Sequence, residues 1–493
     1  MNLSSNPYLP WPTQLRCRWV ALAAALLSTA LIICCASVPA QNVGKHEVEL
    51  PAHWHEAIEK GSVDEFWWQS LDPALTRLVE EALTQNRNVE IAAARLSAAS
   101  AQARIAGAPT FPQLSATTTG SRRKQNFVGF PIAGNNQNSL STKSNSFGVS
   151  LNVSWEVDLW GRLRAGQSAA LAEVMASQAD LAGVRLSLIA QTARAYWAVS
   201  EAQKQVVLSE ATYDNALLSA EQVDARYRRG LRSALDLRSA RSNKASAFVV
   251  LSQRQRQRDL LKRQLEILIG RYPSADIIIG TELPQIGEAV PSGLPAELIA
   301  RRPDLVAAER RLAAADARFS AARRALYPRI SLTGTGGRVS GELSDLIKGD
   351  FAVWSLVGNL TQPLLQGGRL RAGVDMAEAN LDQAIALFAQ QVLQACGEVE
   401  DALGTDIYLS KQENALQRET DEAFATQHLA EERYKKGLLD LIALLEIQRR
   451  TYEAQSQLVS IRRQRLDNRT DLYLALGGSI SPDGREKRGE KKN

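Results

Sequence analysis

The clearest pattern in the chain is the strict alternation of apolar and polar residues from Ser146 to Val157. A period of two residues predicts a β-strand with one apolar and one polar face. The polar positions hold mostly Ser, Gly and Asn, which suit a water-filled lumen better than a soluble sheet; the edge of a soluble β-sandwich is the alternative interpretation. The apolar positions are Phe147, Val149, Leu151, Val153, Trp155 and Val157.

Two long stretches have the composition of helices instead. Residues 167–226 and 374–433 contain no Pro and few Gly, and both are dense in Ala, Leu, Gln and Glu. This composition predicts two unbroken helices of roughly 90 Å each at about 1.5 Å per residue. Shorter helices are predicted around them, at about Ala74 to Ala106, Leu235 to Ile269, Ala296 to Ala325 and Leu441 to Leu474.

The chain is internally duplicated. The hexapeptide Gly-Arg-Leu-Arg-Ala-Gly occurs at 161–166 and again at 368–373. The motif Arg-Tyr-x-x-Gly-Leu occurs at 226–231 and 433–438, at the same offset of 207 residues. A fixed offset between two motif pairs indicates two copies of one structural unit.

Upstream, the Pro-containing segments at 111–115 and 327–331 match at an offset of 216, so the first half carries nine extra residues. We expect them in an enlarged polar loop at about Gln125 to Asn145, because surface loops tolerate insertions. Weaker strands are predicted to begin at Pro112 and Pro328. Each half thus predicts helix, strand, loop, strand, long helix, tip and helix.

The N-terminus has the layout of a secretory signal, with Arg16 and Arg18 before an apolar run that ends at Ile33. A cysteine at the end of such a run indicates the acylation site of a bacterial lipoprotein. We favour Cys35, because Cys34 then supplies the small preceding residue; Cys34 itself and ordinary cleavage after Ala40 are the alternatives. The apolar run is short for a membrane-spanning helix.

The predicted strands indicate a membrane sheet assembled from several chains. Four strands cannot close a barrel, and an open sheet in lipid leaves backbone groups unpaired at several kcal/mol each. Three copies supply twelve strands, an even number within the range of outer-membrane barrels. With 58 basic and 53 acidic residues, the nearly balanced charge gives little support to nucleic-acid binding.

Four elements together resemble the TolC-like outer-membrane factors of tripartite efflux pumps, in particular the lipoprotein branch of NodT-type or OprM-like members. They are Phe66-Trp67-Trp68, Arg301-Arg302-Pro303-Asp304-Leu305, and the two duplicated motifs. The similarity runs from about Ala36 to Ser479. It implies a mainly α, internally duplicated chain that forms a trimeric twelve-stranded membrane β-barrel, continued by a long periplasmic α-helical barrel.

The resemblance also implies a function. The homotrimer would be a lipid-anchored outer-membrane channel that works with a periplasmic membrane-fusion adaptor and an inner-membrane pump, exporting drugs, metal ions or other small toxic compounds. An exit duct for type I protein secretion and a periplasmic coiled-coil scaffold without a pore are the alternatives. No catalytic motif or metal-ligand cluster is present in the sequence, so neither enzymatic activity nor a cofactor is predicted.

Similar proteins also suggest roles for residues at the tips. The turns at the tips are predicted to meet the adaptor, although Gly and basic residues there also have a structural explanation as helix C-caps. The gate that closes the periplasmic entrance is predicted just after the second tip, at Asp440 above all, with Leu438 and Glu446 as further candidates. The predicted adaptor-contact residues are Tyr227, Arg229, Gly230, Leu231, Tyr434, Lys436 and Gly437.

The expected organisation has six segments. In chain order they are a signal peptide (1–34), an anchor and equatorial segment (35–72), a first repeat (73–272; hairpin about 112–157, tip near 227–233), an equatorial linker (273–295), a second repeat (296–476; hairpin about 328–362, tip near 434–440) and a basic tail (477–493).

Mass spectrometry of the mature protein should find lipid on Cys35. Cys35→Ser should then release the chain at least partly from the membrane fraction, because the acyl chains are its anchor. An unmodified mature N-terminus at Gln41 would contradict acylation and support ordinary signal cleavage.

Overall fold

The computed structural model describes residues 51, 54–55, 67–128, 139–284, 286 and 301–478. Cys34, Cys35, the predicted signal segment and residues 479–493 of the predicted tail lie outside these ranges. The first half consists of α1 (Trp67–Leu71), α2 (Pro73–Gln85), α3 (Arg87–Gly107), β1 (Gln113–Val128), β2 (Ser139–Val157), α4 (Arg162–Arg228) and α5 (Ala234–Leu268). The second half consists of α6 (Pro303–Arg324), β3 (Arg329–Ser340), β4 (Ala352–Thr361), α7 (Arg369–Lys435) and α8 (Leu441–Ala475).

The duplication seen in the sequence is present in the helices. Helices α4 and α7 each contain 67 residues, about 100 Å at the usual rise per residue. Helix α4 begins five residues before the predicted start at Gln167, because the Asp158 carboxylate accepts the N–H groups of Leu163 and Arg164 at 3.1 and 2.9 Å. No helix in the described part of the chain has the length and apolarity needed to cross a membrane.

The four strands form one antiparallel sheet in the order β1-β2-β3-β4. Its register places apolar residues opposite one another, with Leu114 facing Val153 and Trp155 facing Leu332. Because directly opposite residues share a face, the alternation predicted for β2 continues across the sheet as a mainly apolar and a mainly polar face, although the apolar face also carries Arg338. Within the single chain, β1 and β4 are the edges.

The prediction of a loop from Gln125 to Asn145 is wrong for the residues at both of its ends, which belong to strands β1 and β2. Residues 125–128 pair with residues 139–142, and the ladder continues from there to the rest of the hairpin. The error has a physical reason: these residues lack the apolar alternation that marks a strand, but backbone hydrogen bonds do not require it. The connection between β1 and β2 falls within 129–138, outside the described residues.

The helix predicted from Ala74 to Ala106 is two helices that meet at Asn86. The Asn86 side chain accepts the N–H of Asn88 at 2.8 Å and donates to the carbonyl of Leu268 at 2.8 Å. Asn86 therefore caps the start of α3 and also pairs the last carbonyl of α5, that of Leu268. Gly270, at φ 82°, lies so close that an added Cβ would approach the carbonyl oxygen of Gln85 to 2.8 Å.

Arg302 joins three separate parts of the second repeat. Its buried guanidinium donates to the carbonyl of Ala475 at 3.0 Å and forms ion pairs with Asp304 at 2.8 Å and Glu398 at 2.7 Å. The arginine therefore pairs an orphan carbonyl at the end of α8 while bridging α6 and α7. These contacts give the Arg301–Leu305 motif a structural role.

Two adjacent glycines of β3 provide a matched test of the sheet. A Cβ on Gly337 would lie 2.3 Å from the carbonyl oxygen of Val149, whereas a Cβ on Gly336 would meet nothing within 4 Å. We expect Gly337→Ala to lower the free energy of unfolding by about 1–3 kcal/mol, as overpacking does, and Gly336→Ala to have little effect. Equal apparent melting temperatures for the two variants, by circular dichroism, would contradict the β2–β3 register.

Candidate functional site

The two tips, where α4 meets α5 and α7 meets α8, have the same backbone geometry. Gly230 and Gly437 adopt φ of 73° and 75°, in the left-handed region that glycine enters without steric cost. The leucine after each glycine donates its N–H at 2.9 Å to the carbonyl five residues earlier. Both helices therefore end in the Schellman pattern, as the glycine positions predicted.

The tips of the two repeats are in contact. The Arg232 guanidinium lies 5.1 Å from the centre of the Tyr434 ring, within cation–π distance. Behind this contact, Val223, Leu237 and Leu441 are buried in one apolar cluster. The two tips consequently lie at one level, at the same end of the helices.

Several predicted contact residues are exposed at this end. Leu231 and Leu438, which hold equivalent positions in the two repeats, are 68% and 74% exposed. Tyr227 is 41% exposed, and Arg229 and Lys436 are also exposed. Apolar and cationic side chains are thus available together at the tips.

Asp440 has a structural role that its counterpart shares. Its carboxylate accepts the N–H of Ala443 at 2.7 Å and begins α8 as an N-cap. Ser233, its equivalent in the first repeat, accepts the N–H of Asp236 at 3.1 Å and begins α5. Asp and Ser are comparable N-caps, so only the negative charge of Asp440 is particular to the second repeat.

Glu446 belongs to an ionic network on α8 that the sequence interpretation missed. Its carboxylate pairs with Arg449 at 2.6 Å and with Arg450 at 3.1 Å, and Arg449 also pairs with Glu453. The hydrogen bonds from Arg449 and Arg450 lower the pKa of Glu446 to about 2. The signal that could have identified the arginines is their spacing of three and four residues from Glu446 on one helix.

This network is present in only one of the two repeats. At the offset of 207 residues, the four positions of α5 hold uncharged side chains where α8 has two acids and two arginines. The duplicated architecture therefore does not require the charges. The uncharged counterparts are Ser239, Ser242, Asn243 and Ser246.

Farther from the tips than the Glu446 network, polar side chains connect α8 to α4. Gln205 and Ser456 exchange hydrogen bonds at 2.9 and 2.8 Å, and Ser209 pairs with the Tyr452 hydroxyl at 3.0 Å. A cavity of about 460 Å³ lies between α4, α5, α7 and α8, and Arg449 and Tyr452 line it. Arg449 of the network therefore borders this cavity between the four helices.

Farther along the interface between α8 and α4, burial raises the pKa of the Asp467 carboxyl to about 6, although Arg463 is its neighbour.

Within the described ranges, no group of three or more His, Cys, Asp or Glu side chains is placed to hold a metal ion. Of the histidines near the N-terminus, His46 and His53 lie outside these ranges.

An antiparallel sheet with one apolar face, continued by paired 67-residue helices, defines the class of outer-membrane channel proteins. The chain belongs to the outer membrane efflux protein family, whose family model matches residues 78–271 and 294–478. The family, the fold class and the function predicted from the sequence, an outer-membrane component of an efflux system, are therefore confirmed.

Individual relatives agree with this assignment. The outer membrane protein OprJ of Pseudomonas aeruginosa is 34% identical over 85% of this chain and 87% of its own length. The toluene efflux pump outer membrane protein TtgI of Pseudomonas putida is 33% identical over 83% and 86% of the two chains. The crystal structure of the open state of the Neisseria gonorrhoeae MtrE outer membrane channel superposes with a TM-score of 0.79 at 29% identity, covering 90% of this chain and 98% of MtrE.

The capping role of Asp440 can be separated from its charge. Asp440→Ala should weaken the first turn of α8 by about 1 kcal/mol, roughly a fivefold shift in local opening, whereas Asp440→Asn retains the cap. Hydrogen exchange of a peptide covering residues 438–448 measures this opening. Faster exchange in both variants would contradict the assignment, and Ser233→Ala serves as the matched variant in the first repeat.

Proposed function

We propose that three copies of this chain close one twelve-stranded barrel and one helical duct, through which small toxic compounds leave the cell. The observation that carries this proposal is the sheet, which has an apolar face and two edges, β1 and β4. In lipid the unpaired edge groups would cost several kcal/mol each. Pairing β1 of one copy with β4 of the next removes both edges and closes the sheet.

The transported compounds are proposed to be small and partly apolar. The relative TtgI is named for toluene efflux, and the polar face of the sheet, mostly Ser, Thr, Gly and Asn, suits a wide water-filled duct with little chemical selectivity. We propose no catalytic activity for the chain. An inner-membrane pump would supply the energy and the choice of substrate.

The tips are proposed to receive a periplasmic adaptor. Leu231 and Leu438 are exposed at one level and flanked by Arg229 and Lys436. In a trimer this combination occurs six times around the entrance. Such a ring offers repeated apolar contacts within a basic rim, to which the hairpins of an adaptor can bind.

The gate is proposed to lie on α8 at Glu446, with Leu438 and Asp440 at its outer side. Support comes from the asymmetry of the duplication, since the four charges of the Glu446 network have no counterparts on α5. Further support comes from the cavity beside Arg449, which leaves room for the side chains to rearrange when α8 moves.

Cys35 is proposed to hold the lipid anchor. The connection between β1 and β2 is proposed to face the cell exterior.

Conductance of the purified protein in planar bilayers tests both the channel and its gate. Glu446→Gln should raise the resting conductance several-fold, because three copies of the network act on one opening equilibrium. Acidification from about pH 7 to pH 5 should not have this effect. With a pKa of about 2, below the usual 4.5, the carboxylate keeps its ion pairs until the pH falls toward about 2.

Two variants serve as controls. Glu90→Gln removes a similar exposed ion pair, with Arg87 at 2.8 Å on α3, and should leave the conductance unchanged. Asp440→Asn removes the charge at the tip while retaining the cap, so an increase there assigns part of the gate to Asp440. If Glu446→Gln conducts like the wild type, the gate proposal is wrong; if no variant conducts after insertion, the channel proposal is wrong.

A further inference from the structure

The charged residues toward the connecting end of the β1–β2 hairpin are all of one sign. Between Gln113 and Trp155 the sequence holds four charged residues, and all four are basic. None of them forms an ion pair within the part of the chain that the structure describes, and all are exposed. They are Arg122, Arg123, Lys124 and Lys143.

Three of these cations share the apolar face of the sheet. Lys124 lies directly opposite Lys143, and Arg122 lies opposite Asn145 on the same face. Like charges directly opposite each other on one face destabilise a strand pair. Within the described residues, no carboxylate forms an ion pair with either lysine to offset this repulsion. Arg123, by contrast, points to the polar face, opposite Ser144.

The position of the three cations matches the boundary of a membrane. On β2 the apolar residues run from Val157 to Phe147, about 33 Å along the strand at 3.3 Å per residue. A strand tilt of about 40° reduces this to about 25 Å, the height of the apolar band of outer-membrane barrels. Phe147 lies opposite Gly120, and Arg122 is the next residue outward on that face. The cations therefore begin about 7 Å beyond the band, where lipid headgroups lie.

The opposite end of the hairpin has a different charge pattern. There Glu156 pairs with Arg162 at 2.7 Å, and Asp158 pairs with Arg164 at 3.5 Å. Near the cationic end, the connection between β3 and β4 contains Glu342, Asp345 and Asp350. Asp345 pairs with Lys348 at 2.6 Å, and within the described residues none of the three forms an ion pair with the cations of the hairpin. In the part of the chain that the structure describes, the charged side chain of β2 at the opposite end, Glu156, therefore has an ion-pair partner, whereas the cations of the hairpin have none.

We infer that Arg122, Lys124 and Lys143 bind the phosphate groups of an anionic glycolipid in the outer leaflet of the membrane. This inference rests on the proposed function, because it requires the apolar face to contact lipid. The Arg122 guanidinium binds a phosphate through two parallel N–H donors, and the opposed lysines add two point charges. The bound phosphate also relieves the repulsion between Lys124 and Lys143.

Native mass spectrometry of the full-length protein in neutral detergent tests the site, with bisphosphorylated lipid A and its dephosphorylated form as probes. The triple variant Arg122→Gln, Lys124→Gln, Lys143→Gln should raise the Kd for the phosphorylated lipid about tenfold or more. Arg123→Gln, which removes one charge from the other face of β1, should change it less than about twofold. The dephosphorylated lipid should bind wild type and triple variant equally.

Equal affinity of wild type and triple variant for the phosphorylated lipid would overturn the inference. Displacement of that lipid by equimolar inorganic phosphate would also overturn it, since it would indicate a site for free anions. If the triple variant does not fold, Lys124→Gln alone should still weaken binding, and an unchanged Kd would overturn the inference. Planar-bilayer conductance of the same preparations distinguishes failure of the lipid site from failure of the channel proposal. If the channels conduct normally but the Kd does not change in the triple variant, only the lipid site is refuted. If no conductance is seen, the channel proposal is refuted.

Discussion

Backbone N–H and C=O groups at the ends of helices and the edges of sheets lack partners within their own element, and many of the specific contacts in this structure supply such partners. At the start of α4 the partner is the Asp158 carboxylate, and at the start of α8 it is Asp440. At the ends of α5 and α8 the partners come from distant elements, Asn86 and Arg302. Side chains that would look ordinary in the sequence thus determine where helices begin, end and meet.

The same need for partners applies to the sheet. Each inner strand pairs on both sides, whereas β1 and β4 have partners on one side within the chain. The apolar face removes water as an alternative partner once it contacts lipid. Pairing between copies then follows from the physics of the sheet and needs no specific side chain. This explains how long stretches of β1 can consist of small polar residues and still belong to a membrane sheet.

The duplication preserves architecture more strictly than chemistry. Helices α4 and α7 have the same length, and Gly230 and Gly437 adopt the same conformation, because the two tips must end at one level. Side chains on α5 and α8 diverge, and the Glu446 network lies on α8 alone. Both repeats must therefore keep long helices of equal length, whereas side chains from one repeat are enough to narrow the duct.

The sequence by itself determined the duplication, the long helices, the left-handed glycines at the tips and the strand β2, because each depends on local periodicity or on the conformational freedom of one residue. It did not determine the extended pairing of residues 125–128, since backbone hydrogen bonds leave no mark in side-chain composition. The break at Asn86 and the bridging role of Arg302 were decided only by tertiary structure. Their partners, Leu268 and Ala475, lie more than 170 residues away, and no local pattern shows which distant elements will meet.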